Sequence, residues 1–81
     1  MGFKLWGYAK SRTKTEAMEL GEVTLIASPE HLRKIAGFLI KAADGIEQHG
    51  KKWEHEHLCD QVRGFNTSPQ FIVFNLKHYK S

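Results

Sequence analysis

The longest regular pattern of apolar and polar positions runs from residue 28 to residue 50 and predicts one amphipathic helix. At about 100° per residue, its apolar side chains share a stripe and its charged side chains lie opposite. Ser28 is suited to cap this helix, Pro29 to its first position, and Gly50 to its end. The stripe consists of Leu32, Ile35, Ala36, Leu39, Ala42, Ala43 and Ile46. We expect a helix about 30 Å long that packs on the rest of the chain through this stripe.

Three other segments alternate apolar and polar residues with the period of two that is typical of strands. They are residues 3–9, 18–27 and 70–77. The polar segment 10–17 and the longer segment 50–69 lack such a period and are predicted to be loops. Within the second loop, the sequence around 57–62 allows one helical turn.

The order of these elements predicts an α+β fold of the type β-β-α-β. A helix that crosses over between the second and third strands favours either a parallel arrangement of these two strands or a strand inserted between them. We therefore expect a three-stranded, mainly antiparallel sheet with the first strand in the middle and the helix across one face. With 81 residues, the chain 1–81 is predicted to be a single small domain.

One helix covers only one face of such a sheet, so the two faces have different expected roles. Helix residues Leu32, Ile35, Leu39, Ala43 and Ile46 are expected to bury Leu5, Val23, Leu25, Ile72, Phe74 and Leu76. The opposite face would leave apolar side chains in water, which favours association. We expect a homodimer through this uncovered face or through an edge strand, with Trp6, Tyr8, Phe71 and Val73 near the contact. In the alternative, the segment 50–69 folds over that face and leaves a monomer.

Composition and charge argue against several classes of protein function. Hydrophobic residues make up 41% of the chain, which is enough for a globular core. No apolar run is long enough for a bilayer, and the first residues lack the pattern of a signal peptide. The single cysteine, Cys59, cannot form an internal disulfide, so we expect a cytoplasmic protein. The net charge of +3 is spread out, so neither a nucleic acid nor a membrane is expected as a partner.

The segment WEHEHLCD, residues 53–60, has the highest density of potential metal-binding and catalytic side chains in the chain. His55, His57 and Cys59 are ligand types that zinc accepts, and in an extended segment they would share a side. Strong zinc motifs have a second ligand pair, which this sequence lacks, and no oxyanion hole or orienting group accompanies the cysteine. We expect no metal, no cofactor and no catalytic residue. A small metal-dependent or thiol enzyme built on these three residues stays open as an alternative.

Several segments, taken in order, resemble small bacterial immunity proteins of polymorphic toxin systems. These are EVTLIASPEHLRKIAGFLIKAADGIEQHG at 22–50, HEHL at 55–58, and SPQFIV at 68–73. The resemblance extends from about Leu20 to Leu76 and is closest to the immunity protein 32 family. It implies a cytoplasmic, non-catalytic protein that binds and neutralises one cognate toxin. Because immunity proteins against nucleases are often acidic, the positive charge of this chain argues against a nuclease as the toxin.

Three functional hypotheses follow for the chain. The first, which the family resemblance supports, is a toxin-binding immunity protein. The second is the enzyme described above. The third is a structural homodimer without a toxin partner.

Overall fold

The fold combines one long helix with two small sheets. The structure is a computed structural model that describes residues 2–10 and 16–78. Its elements are β1 (Leu5–Gly7), β2 (Met18–Leu20), α1 (Pro29–His49), β3 (His55–His57), α2 (Leu58–Gln61) and β4 (Ile72–Phe74), with 3₁₀ turns at Gly50–Lys52 and Leu76–His78. β1 pairs with β2 and β3 with β4, both antiparallel. The α+β class is confirmed, but the described residues form two two-stranded sheets instead of one three-stranded sheet.

The predicted long helix is confirmed, including its two ends. The Ser28 hydroxyl accepts a hydrogen bond from the His31 amide at 3.2 Å, and Pro29 occupies the first turn. At the other end, Gly50 has φ 57°, in the left-handed region that favours glycine, and its amide donates to the Ile46 carbonyl. The boundaries of α1 therefore follow from local chemistry.

The buried face of the helix is rotated from the predicted stripe and shares only Ile35 and Ala42 with it. Its buried side chains are Ile35, Phe38 and Ala42, whereas Leu32 and Leu39 are 43% and 44% exposed. The prediction of burial holds for Ile35 but is wrong for Leu32, Leu39 and Ala43; Ile46 is half-buried. The physical reason is that α1 has apolar residues around much of its circumference, so periodicity alone does not select the buried side.

The segment predicted to be a long loop supplies half of the core. Ile35 and Phe38 of α1 pack with Leu58 and Phe65, and the partly buried Cys59, Val62, Phe71 and Val73 surround this cluster. The Phe38 and Phe71 rings meet edge to face, with centroids 6.5 Å apart. The predicted helical turn around 57–62 is confirmed as α2, whose Leu58 amide donates to the Phe71 carbonyl at 2.8 Å. The core thus lies between α1, α2 and the approach to β4.

The two faces of β4 are the reverse of the prediction. Phe71 and Val73 are half-buried against the core, while Ile72 and Phe74 are each 48% exposed and Leu76 is 56% exposed. The partner strand β3, whose sequence HEH is polar throughout, lies in the segment 50–69 that was predicted to be a loop because it lacks a regular period. The expectation that α1 covers Ile72, Phe74 and Leu76 is therefore wrong.

The reversal of faces centres on a buried amide. Asn75 is only 2% exposed, and its Nδ2 group donates to the carbonyls of Gly50 at 3.2 Å and Trp53 at 2.8 Å. Its Oδ1 atom accepts from the Lys77 amide at 3.1 Å, and its own backbone amide donates to the Glu54 carbonyl at 2.7 Å. Because these hydrogen bonds satisfy the amide, a polar residue occupies an inward position at the end of β4.

The predicted second strand is much shorter than expected. Only Met18–Leu20 forms β2, and residues 22–28 have no regular secondary structure, with Val23, Leu25 and Ile26 exposed. Pairing with β1 ends where Leu5 lies opposite Leu20, and no other described strand adjoins this segment. The expected burial of Val23 and Leu25 is therefore wrong, and so is the central position of the first strand. Of the predicted first loop and the C-terminal tail, residues 11–15 and 79–81 lie outside the described residues.

Two glycines inside α1 have different surroundings. A Cβ atom on Gly45 would lie 2.5 Å from Trp53 Nε1 and 2.9 Å from Trp53 Cδ1. A Cβ atom on Gly37 would meet nothing within 4 Å. Gly45 therefore permits the indole of Trp53 to lie directly on the helix, whereas no contact requires Gly37.

Replacing the buried aromatic of α1 should unfold the protein far more easily than replacing its exposed neighbour. We expect Phe38→Ala to lower the free energy of unfolding by about 3–5 kcal/mol, since it leaves a cavity in the core. The matched variant Leu39→Ala should lose about 1 kcal/mol or less, because Leu39 is already half in water. Urea denaturation at one low protein concentration measures both. Equal losses would show that the helix is oriented as its apolar stripe alone predicts.

The two glycines of α1 should respond in opposite directions to alanine. Gly37→Ala should raise the free energy of unfolding by about 0.5–1 kcal/mol through helix propensity. Gly45→Ala gains the same propensity but must displace Trp53, so we expect a net loss of about 1–3 kcal/mol. Thermal unfolding of the pair, with Trp53 fluorescence as the second signal, checks the contact. A stabilised Gly45→Ala variant would contradict it.

Candidate protein-interaction surface

An apolar groove lies where the N-terminal segment meets the end of β4. It has a volume of about 160 Å³ and is lined by Gly2, Phe3, Lys4, Trp6, Phe74 and Leu76. Phe3 is 83% exposed, and the other apolar side chains of the groove are about half exposed. The groove combines the N-terminal segment and β1 with the outer face of β4. We call this set of six residues the aromatic groove.

The outer face of the β3–β4 sheet extends the aromatic groove. His55 lies opposite Phe74 in the sheet, and their rings stack with centroids 5.9 Å apart and planes within 10°. His57 lies opposite Ile72, and the two histidine rings meet edge to face at 5.3 Å. In a strand, alternate residues share a face, so these four side chains form one surface of apolar and imidazole groups.

A contact between the two strands of the β1–β2 hairpin stabilises the part of the hairpin that lines the aromatic groove. Trp6 lies opposite Glu19, and Lys4 Nζ lies 3.4 Å from a Glu19 carboxylate oxygen. Gly7 lies close to Leu20, because a Cβ atom there would be 3.2 Å from Leu20 Cδ1. The hairpin thus combines a compact inner side with an outer side that carries Trp6.

The four residues predicted to lie at an interface separate into two pairs. Trp6 and Tyr8 are 48% and 65% exposed, and Trp6 lines the aromatic groove. Phe71 and Val73 are half-buried and pack against the core under α1. Their participation in an interface stays a prediction, but the apolar side chains that β4 presents to solvent are Ile72 and Phe74.

The histidine and cysteine segment is divided between two elements. His55 and His57 lie in β3, where the His55 Nδ1 atom is 3.0 Å from a Glu54 oxygen and His57 Nδ1 is 3.9 Å from an Asp60 oxygen. Cys59 lies in α2 and packs against the core, so it does not share the side of the two histidines. Among the described residues, no three acidic, histidine or cysteine side chains converge as a metal site would require. The expectation that the native protein binds no metal stays a prediction.

A wider cleft of about 470 Å³ lies between α1 and the segment that includes Trp53 and α2. Its floor contains Phe38, Ala42 and Trp53, and its rim carries lysine, aspartate, glutamate and glutamine side chains. On the wall opposite α1, Gln61 Nε2 donates to Glu56 Oε2 at 2.9 Å. Because the lining includes two lysines, Lys34 and Lys41, and two carboxylates, Asp44 and Glu56, the cleft favours no charged ligand class.

The comparison with protein families matches most of the chain to a known family. The family model described as Immunity protein 32 matches residues 22–76, which is more than half of the chain. The chain belongs to the immunity protein 32 family. The matched region contains α1, β3, α2 and β4, while β1 and β2 precede it. No curated protein and no solved structure was found to match the chain.

Family membership confirms the resemblance seen in the sequence, but sequence reasoning missed most of the exposed surface. Phe74 and Leu76 were assigned to the core, and Phe3 to no site. The sequence signal that could have revealed this surface was Asn75. It is spaced by two from Val73 and by four from Phe71, so the three residues share one face of the strand. An asparagine can satisfy several backbone groups at the end of a strand and is then compatible with an inward position.

Proposed function

We propose that this immunity-family protein binds and neutralises a cognate bacterial toxin by occluding it, without catalysis. The observation that carries this proposal is the match of the Immunity protein 32 model over residues 22–76. The expected setting is the cytoplasm. None of the described helices is both long and apolar enough to cross a membrane.

The aromatic groove and the adjoining face of β3–β4 are the proposed toxin contact. Interfaces are enriched in aromatic side chains, and the residues that dominate affinity are large and cluster together. Phe3, Trp6 and Phe74 fit that description, with Leu76 and the histidine pair beside them. The predicted interface residue Tyr8, one residue beyond β1, is proposed as a peripheral contact.

The charge of the chain suggests the chemistry of the toxin surface. With a net charge of +3, the protein is favoured to approach a neutral or acidic partner. Lys4 lines the aromatic groove and Lys77 follows Leu76 in the chain. The proposed toxin surface therefore presents an apolar patch with carboxylates at its edge, which differs from the basic active face of a nuclease.

The enzyme hypothesis has less support in the geometry. A thiol or metal mechanism on His55, His57 and Cys59 needs the three groups to converge. The two histidines are on a strand face, and the cysteine is on the following helix, packed against the core. We therefore keep the binding function as the proposal.

Growth of bacteria that produce the toxin tests the proposed function. The candidate toxin is the product of a toxin-like reading frame directly upstream of the gene. Production of that toxin should arrest growth, and co-production of the wild-type protein should restore it. Phe3→Asp and Leu76→Asp should lose protection, because each places a charge in the contact while circular dichroism stays native. The matched variant Ile26→Asp, exposed ahead of α1 and outside the groove, should protect like wild type.

Two results would contradict the proposal at different levels. Growth arrest that the wild-type protein does not relieve would overturn the immunity function against that toxin. Full protection by both groove variants would leave the immunity function intact and remove the aromatic groove from the contact.

A further inference from the structure

The solvent side of α1 carries a second apolar surface. Leu32, Leu39 and Ile40 are 43%, 44% and 63% exposed, and Ala36 and Ala43 on the same side are exposed as well. At about 100° per residue, Ala36 lies roughly 160° around the helix from the buried Phe38. At the same angle per residue, Leu39 lies about 40° and Ile46 about 20° from the buried Ile35. This surface therefore borders the body of the protein along one edge, where Ile46 is half-buried, and is open to solvent at Leu32, Ala36 and Ala43. We call Leu32, Ala36, Leu39, Ala43 and Ile46 the helix seam.

The spacing of the helix seam is that of a paired helix. Its residues follow one another at intervals of four, three, four and three positions, which is the repeat of apolar positions in a coiled coil. Large and small residues alternate along it, from Leu32 to Ala36, Leu39, Ala43 and Ile46. A second seam of the same sequence, placed antiparallel, fits this alternation when Leu39 lies opposite the partner's Ala43 and Ala36 opposite the partner's Ile46. Small residues opposite large ones allow the helix axes to approach to about 8 Å.

The charges beside the seam agree with the same arrangement. In a symmetric antiparallel pair, a residue before the two-fold axis contacts the residue equally far beyond it in the partner. Arg33, Ile40 and Glu47 each follow a seam residue by one position and form a row beside the seam, which faces the same row of the partner. This row is centred on Ile40, one residue before the centre of the seam pairs. Ile40 therefore faces its own copy, and Arg33, seven positions earlier, faces the partner's Glu47, seven positions later. Both side chains are exposed, and the four ion pairs among the described residues do not include them.

We propose that α1 is the interface of an antiparallel homodimer, in which two helix seams pack together and two Arg33–Glu47 pairs flank them. The partner at this interface is a second copy of this chain. Only in the antiparallel orientation do the large residues of one seam face the small residues of an identical seam, with each flanking charge facing its opposite. A parallel pair would not bring Arg33 opposite Glu47. This dimer uses a surface that is separate from the aromatic groove and is independent of toxin binding.

Sedimentation equilibrium of the full chain alone, from low to high micromolar concentration, tests the interface. The wild-type protein should be a dimer at the upper concentrations. Leu39→Asp should be monomeric throughout, with a native circular dichroism spectrum, because Leu39 is exposed in the single chain. A wild-type monomer at high micromolar concentration would overturn the proposal. A Leu39→Asp dimer would also overturn it and would indicate association through another face.

Charge reversal tests the orientation of the two helices. Arg33→Glu and Glu47→Arg should each raise the dissociation constant of the dimer about tenfold, since each turns two attractions into two repulsions. The double variant restores both pairs and should return to within about threefold of wild type. The matched control Lys41→Glu changes the charge equally but lies on α1 outside the seam, so its dimer should be unchanged. A double variant as weak as the two single ones would rule out the antiparallel register.

Discussion

The fully hydrogen-bonded amide of Asn75 is the constraint on which the arrangement of this small domain depends. Its Nδ2 group joins the end of β4 to the Gly50 carbonyl beyond α1 and to the Trp53 carbonyl before β3. The neighbouring His78 ring donates to the Lys51 carbonyl and adds a second connection at the same place. Because these hydrogen bonds satisfy the buried amide, Asn75 is held facing inward without the cost of an unpaired polar group, and alternation along the strand turns Phe71 and Val73 toward the core. Phe74 and Leu76 are consequently directed to solvent.

Local signals made much of the fold predictable. The Ser28 cap, Pro29 and Gly50 determine the ends of α1 within the helix itself, so no knowledge of the rest of the chain is needed. The turn at Leu58–Gln61 and the strand Ile72–Phe74 were also predicted from their sequences. The family could be identified because the order of its segments along the chain is a property of the sequence alone.

The features that were not predicted depend on tertiary context. The strand His55–His57 contains only charged or imidazole side chains, and pairing with β4 outweighs its weak local preference. Residues 22–28 show the converse, because their β-forming side chains have no neighbouring strand among the described residues. The candidate surface was predicted only in part: Trp6 and Tyr8 are exposed, but the inward position of Asn75 exchanged the roles of the two β4 faces.

The unfolding free energy of Asn75→Ala tests the central role of this amide most directly. The exposed Asn66 provides the matched control. If Asn75 fixes the inward face of β4, its loss leaves buried backbone groups unpaired and should cost at least about 2 kcal/mol, with Trp53 fluorescence shifted toward that of an exposed indole. Asn66→Ala should change the free energy of unfolding by no more than about 0.5 kcal/mol. Equal and small losses from both variants would contradict the account, since they would place Asn75 on the solvent side of the strand.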